Sequence, residues 1–174
     1  MTSLEKNASR FLVENISLLP KGRVLDIATG EGRNAVYLAS QGFKVEGIDI
    51  TEEAIKIAEK TARQSGVDIS AHVVDLEKDS YITKDSYDVI VCFNYLQRAL
   101  IPHIKAGLHK GGFIVYETYT IDQIQFGKPR NPDFLLKHNE LLDMFYDFRC
   151  LRYHEGIVEN RKAAAGIIAQ KTAS

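Results

Sequence analysis

Tryptophan is missing from this chain of 174 residues, and cysteine occurs only twice. Cys92 and Cys150 lack the spacing of a metal site. Cys92 also falls inside an apolar run, so both read as buried thiols rather than as a disulfide framework. An excess of one charge is missing too. The chain has 22 basic and 23 acidic residues, a formal net charge of −1, which gives no general electrostatic reason to bind nucleic acid or a membrane surface. No apolar stretch is long enough to cross a bilayer, and the N-terminus lacks the continuous apolar centre of a secretory signal. A cytoplasmic location is therefore expected. Internal repeats and low-complexity linkers are absent as well, so one domain is expected over 1–174. The five histidines show no i, i+4 pair. His154, near the sheet end, is the only one that invites a catalytic reading, and no metal site is expected.

What the chain does contain is a regular alternation of element signals. Residues 4–18 carry Phe11, Leu12 and Ile16 at roughly helical spacing, and Pro20–Gly22 closes that helix. Strands are predicted over 23–28, 44–49, 69–75, 87–94 and 113–120. Helices are predicted over 33–41, from 52 onward after a Thr51 cap with Glu53 near a capping-box position, and around 96–109. That cadence describes parallel βαβ units with both faces of the sheet covered. The last third departs from it, with a helix around 138–146 followed by two strand-like runs, 148–157 and 160–171. The short link between these runs permits antiparallel pairing but no parallel crossover. The expected fold is an α/β, Rossmann-like, mostly parallel sheet ending in an antiparallel strand.

The first strand runs into "ATGEGRNA", a small-residue loop that opens a helix. Gly30 and Gly32 remove Cβ atoms where the loop must turn tightly or touch a ligand, and the helix after it offers free N–H groups to an anionic group. Three acids, Asp26, Asp49 and Asp75, end three consecutive strands on one rim. Asp49 lies where a carboxylate can accept bonds from both ribose hydroxyls. The loop matches neither the dinucleotide fingerprint nor a P-loop, and Glu31 would sit badly beside a pyrophosphate. A ligand with an amine, a carboxylate, a ribose and an adenine, S-adenosylmethionine, fits the pattern better.

"VLDIATGEGRNAVYLASQGFKVEGIDIT", "VVDLEK", "YDVIVCFNYLQRAL" and "LHKGGFIVYETY" resemble class I S-adenosylmethionine-dependent methyltransferases. "GEGRNAVYLA" is similar to the branch that contains the tellurite-resistance methyltransferases. The resemblance implies a seven-stranded sheet and assigns roles by position. Asp26 and the loop of Ala28, Thr29, Gly30 and Gly32, continuing into Arg33 and Asn34, hold the methionine moiety. Asp49 takes the ribose, Ile50 packs on the adenine, and Asp75 with Leu76 meets the adenine edge. Phe93 and Asn94 stand beside the methionine end. Ala28 departs from the usual first glycine, and the segment 1–20 is a short helix or lid.

Methyl transfer asks the protein to align a nucleophile, exclude water and, where needed, take a proton. Candidates for contact with the acceptor are Tyr95, Arg98, Glu117, Tyr119 and Arg161. The segment 120–137, long for a connection after the fifth strand, is expected to wall the acceptor site. A small-molecule or metalloid acceptor is the leading expectation, on a monomer or homodimer that engages no nucleic acid and no membrane. Methylation of a protein or RNA, or a non-catalytic cofactor-binding module, are the alternatives, and sequence does not name the acceptor.

Overall fold

Alternating apolar side chains on both faces of successive strands place this chain around a central sheet, which the computed structural model describes for residues 1–172. Ala173 and Ser174, the end of the expected domain, lie outside the described residues. The strands are β1 (Arg23–Ile27), β2 (Lys44–Asp49), β3 (Ser70–Val73), β4 (Tyr87–Phe93), β5 (Leu108–Tyr119), β6 (Arg149–Val158) and β7 (Lys162–Gln170). They form one seven-stranded sheet in the order β3-β2-β1-β4-β5-β7-β6. The first five strands are parallel, and β7 runs antiparallel to both β5 and β6. The order reverses at β1, between β2 and β4, which is where an open α/β sheet places its ligand.

Two cores flank the sheet. On one face Val24, Val89, Val91 and Val115 pack with Leu12 and Tyr37, carried by α2 (Arg10–Asn15) and α3 (Arg33–Ser40). On the other, Leu25, Ile90, Ile114 and Ile167 pack with Ile104 and Phe145, from α5 (Ile101–Gly107) and the end of α6 (Glu140–Met144). Among the described residues, no helix is long and apolar enough to cross a membrane.

The structure departs from the expected elements at four places. The helix expected over 4–18 is broken into α1 (Ser3–Asn7), α2 and a 3₁₀ turn at Ile16–Leu18. Ala8 is extended there, and the Ser9 N–H donates to Asn34 Oδ1 at 2.8 Å, so it is not free to continue a helix. Thr51 precedes α4 (Glu52–Gln64) but makes no side-chain cap. A capping box needs the acid three residues after the cap, and here that position is Ala54. The box forms instead at Thr2 and Glu5. The helix expected over 96–109 ends at Gly107, and β5 begins at Leu108 rather than 113. Cys92 is buried, as read from its apolar run, whereas Cys150 is exposed on the edge strand β6.

Candidate functional site

The carboxyl ends of β1, β2 and β4 open into one groove. Its inner part, about 450 Å³, is bordered by Asp26, Gly30, Asp49, Phe93 and Asn94. Its outer part, about 230 Å³, is bordered by Ile50, Asp75 and Leu76. Ala28, Asp49 and Tyr95 line both. In the backbone that shapes the groove, Ala28 (φ 53°), Gly30 (φ 56°), Gly32 (φ 80°) and Asn94 (φ 56°) all adopt left-handed conformations. The glycines do so freely, whereas Ala28 and Asn94 are non-glycine residues in a region where backbone strain collects at ligand sites. The two loop glycines serve different ends. A Cβ at Gly32 would lie 2.7 Å from Ala58 Cβ of α4, so that glycine admits helix–helix contact; a Cβ at Gly30 would meet nothing within 4 Å.

Each acid of the rim is held differently. Asp26 is buried and accepts the Thr29 hydroxyl at 2.7 Å. Burial pushes its carboxyl up to about 7, against the lowering pull of the Thr29 bond. Asp49 accepts from Gly30 N and Thr51 N, both at 2.9 Å, which ties the glycine loop to β2 while leaving further lone pairs on both oxygens. Asp75 is bonded to Lys78 and lies below the usual carboxylate range, the Lys78 hydrogen bond being the main cause. Ile50 is 63% exposed at the end of β2, an apolar side chain open to a flat partner. The rim thus offers carboxylate acceptors at Asp26 and Asp49 and an apolar surface at Ile50. Asn34 and Arg33 stand apart from the rest. Asn34 is buried with its side-chain oxygen committed to Ser9, whereas Arg33 is exposed at the groove's edge.

Arg33 also lines a second cavity, of about 740 Å³, between the N-terminal helices and the β6–β7 hairpin. Phe11, Glu117, His154, Arg161 and Lys162 border it. Glu117 is paired in register with Phe93 on β4, and its backbone carbonyl accepts Asn94 N at 2.9 Å, so the two spaces meet at the ends of β4 and β5. The Glu117 carboxylate is bonded to His154 Nε2 and Lys162 Nζ, each at 2.9 Å. Burial works to raise its pKa, but the bonds from His154 and Lys162 outweigh it and hold the group below the ordinary range.

The acceptor candidates separate in space. Glu117 and Arg161 line this cavity, with Arg161 bonded to Glu159. Tyr95 instead borders the groove, its hydroxyl donating to Gln97, whose amide reaches Leu76 O. Arg98 grips Glu140 through two bonds and the carbonyls of Asp133 and Leu135 through two more. Tyr119 borders neither space, and its carbonyl accepts Leu136 N. The segment 120–137 contributes no residue to either space. Leu135 and Leu136 enter the core, and Gln123 binds Ala163 N and Lys128 O. Phe11, Lys162 and Gln97 were absent from the expected set. The alternation of β7 placed Lys162 on the face of Gly166, but only the register brings that face to Glu117.

A profile of the Tellurite resistance protein TehB family matches residues 5–168. The "Probable S-adenosyl-L-methionine-dependent methyltransferase TehB" of Haemophilus influenzae is 27% identical over 159 residues, covering 87% of this chain and 54% of that protein. A "Ubiquinone biosynthesis O-methyltransferase" of Burkholderia thailandensis is 31% identical over 105 residues, 58% of this chain and 45% of the other. The crystal structure of TehB from Haemophilus influenzae superposes with a TM-score of 0.78 at 24% identity, over 94% of this chain and 62% of that one. The chain thus spans about half the length of the curated relatives it matches.

Proposed function

The chain belongs to the TehB family of class I S-adenosylmethionine-dependent methyltransferases, and from that premise we propose that it transfers a methyl group from S-adenosylmethionine to a small-molecule or metalloid acceptor. The observation that carries the reading is the pairing of two spaces. A groove at the sheet's reversal point, with three strand-end acids, adjoins a separate cavity of about 740 Å³ at the end of β5, a volume suited to a small molecule. When bound, the cofactor supplies an electrophilic methyl group on a sulfonium. The protein's own residues do the rest. Asp26 faces the amine, Asp49 the ribose hydroxyls, and Ile50 with Leu76 the adenine. The ends of β4 and β5, at Phe93, Asn94 and Glu117, stand where the two spaces meet.

The test is calorimetric titration of S-adenosylhomocysteine into the protein and into Asp49→Ala. Loss of two hydrogen bonds to a charged acceptor, each worth about 1.5–3 kcal/mol net and less in a partly solvated groove, should lower affinity about tenfold or more. Unchanged affinity in the variant would remove the ribose assignment, and no binding to the parent protein would remove the reading as a whole.

A further inference from the structure

β7 reads KAAAGIIAQ, and its glycine is conspicuous because a glycine within a strand weakens it. Gly166 is the partner in register of Glu117 on β5 and of His154 on β6. The three residues form one row across three strands, with their side chains on the same face. A Cβ at Gly166 would overlap the His154 imidazole, and would also come within 3.1 Å of Phe11 Cε1. The glycine therefore makes a seat on which the imidazole lies flat enough to reach over β7 to Glu117. Phe11 closes the seat from above, in an edge contact with the ring at 4.9 Å between centroids. Lys162, on the same face of β7, reaches the other carboxylate oxygen.

This row is built as an oriented base. Glu117 is 6% exposed in its side chain and is held ionised by the Lys162 ammonium and by the hydrogen bond to His154. A carboxylate can only accept, so the hydrogen between it and His154 sits on Nε2. That tautomer leaves Nδ1 as a bare lone pair. Nδ1 has no protein partner among the described residues, and the ring lines the 740 Å³ cavity. A plain surface ion pair needs neither a strand glycine beneath it nor an aromatic lid above it.

Resting on the methyltransferase reading above, we propose that His154 is the general base of this enzyme, that Glu117 and Gly166 position it, and that the acceptor is therefore a protic one, an X–H acid such as a phenol or an alkyl thiol. In the step, the X–H proton passes to Nδ1 and the pair left on X forms the bond to the methyl carbon. The methyl–sulfur bond breaks with its electrons on sulfur, turning the sulfonium into a thioether. The imidazolium, stabilised by Glu117, then gives its proton to water.

The experiment uses the full chain with S-adenosylmethionine and two groups of probes. Phenol and catechol are un-ionised at neutral pH and have a proton to lose, whereas tellurite, pyridine and dimethyl sulfide attack through a lone pair alone. Transfer is expected to protic members, falling about 10²–10⁴-fold in His154→Gln, with S-adenosylhomocysteine affinity unchanged by calorimetry. A ¹⁵N spectrum of the histidine ring should show the Nε2–H form in the parent protein, and its loss in Gly166→Ala. Transfer to aprotic members only, no transfer to any protic member, full protic activity in His154→Gln, or an Nδ1–H ring would each overturn the proposal. Cofactor binding separates this failure from that of the underlying reading. If S-adenosylhomocysteine binds and the base test fails, only the base is wrong; if it does not bind, the methyltransferase reading falls first.

Discussion

Asp26 shows how one side chain serves the site at the expense of the fold. Its carboxyl is 2% exposed and titrates at about 7, because burial penalises the charged form more than the Thr29 bond favours it. A carboxyl whose folded pKa is raised contributes stability that is complete below its unfolded value near 4 and is lost as pH rises through 7. Three units correspond to about 4 kcal/mol as an upper bound. Asp26→Asn should therefore raise stability in urea by about 2–4 kcal/mol at pH 8, with the gain shrinking towards zero at pH 4. The same variant should bind S-adenosylhomocysteine more weakly at pH 8, since the ligand's ammonium loses its counter-charge. A variant no more stable than the parent at pH 8 would contradict the burial account.

Arg98 is the opposite case, a side chain picked out for a ligand and engaged by the fold. Its guanidinium donates two bonds to Glu140 and two to the carbonyls of Asp133 and Leu135. It is 39% exposed, so solvent screening lowers the value of the pair, while the two-pronged geometry raises it. Arg98→Ala should cost about 1–2 kcal/mol in chemical denaturation, and S-adenosylhomocysteine affinity should stay unchanged because Arg98 does not border the groove. A large loss of affinity would move Arg98 back to the site.

At the scale of elements, the N-terminal segment is the wall most easily unhooked. Ser9 has φ −58°, a value that proline takes without strain, and Ala8 before it is already extended. Ser9→Pro would thus keep the chain path while deleting the N–H that binds Asn34 Oδ1, leaving a buried acceptor with its partner removed. The expected cost is about 1–3 kcal/mol, seen as faster hydrogen exchange confined to residues 1–15. Protection equal to the parent's would show that packing of Leu12, not this bond, holds the cover.

Elements were also where the sequence was most and least legible. Parallel βαβ units, the hairpin and the glycine loop all follow from periodicity and link length, and the strand-end acids follow from strand boundaries. What did not follow depends on register. Glu117, Gly166 and His154 are separated by 37 residues or more from one strand to the next except across the hairpin, and only strand pairing aligns them. The break at Ala8–Ser9 was hidden for the same reason, because Asn34, the residue that takes the Ser9 N–H, lies 25 positions away. Ala28 departs from the glycine that the resemblance leads one to expect, and sequence alone did not show its backbone conformation. At φ 53° its methyl is held in a left-handed conformation that costs an L-residue about 1–2 kcal/mol.

For the molecule as a whole, the left-handed backbone at Ala28 and Asn94 and the buried Asp26 carboxyl lie around one groove, while the two cores on either face of the sheet are continuous and apolar. Stability is thus spent at the carboxyl end of the sheet, and a ligand that binds there should return some of it to the entire fold. Mass action sets the size: ligand at a hundred times its dissociation constant adds about 2.7 kcal/mol, and for a chain of this length each kcal/mol moves the melting temperature by about 2–4 °C. S-adenosylhomocysteine at that excess should raise the melting temperature by about 5–10 °C at pH 8. At pH 6 a proton on Asp26 competes with the ligand's ammonium, so the shift at the same ligand concentration should be smaller. Asp26→Asn should show a reduced shift that is the same at both pH values. A parent shift that does not change between pH 6 and pH 8 would mean that Asp26 does not meet the amine, and that the ligand lies in the groove by other contacts.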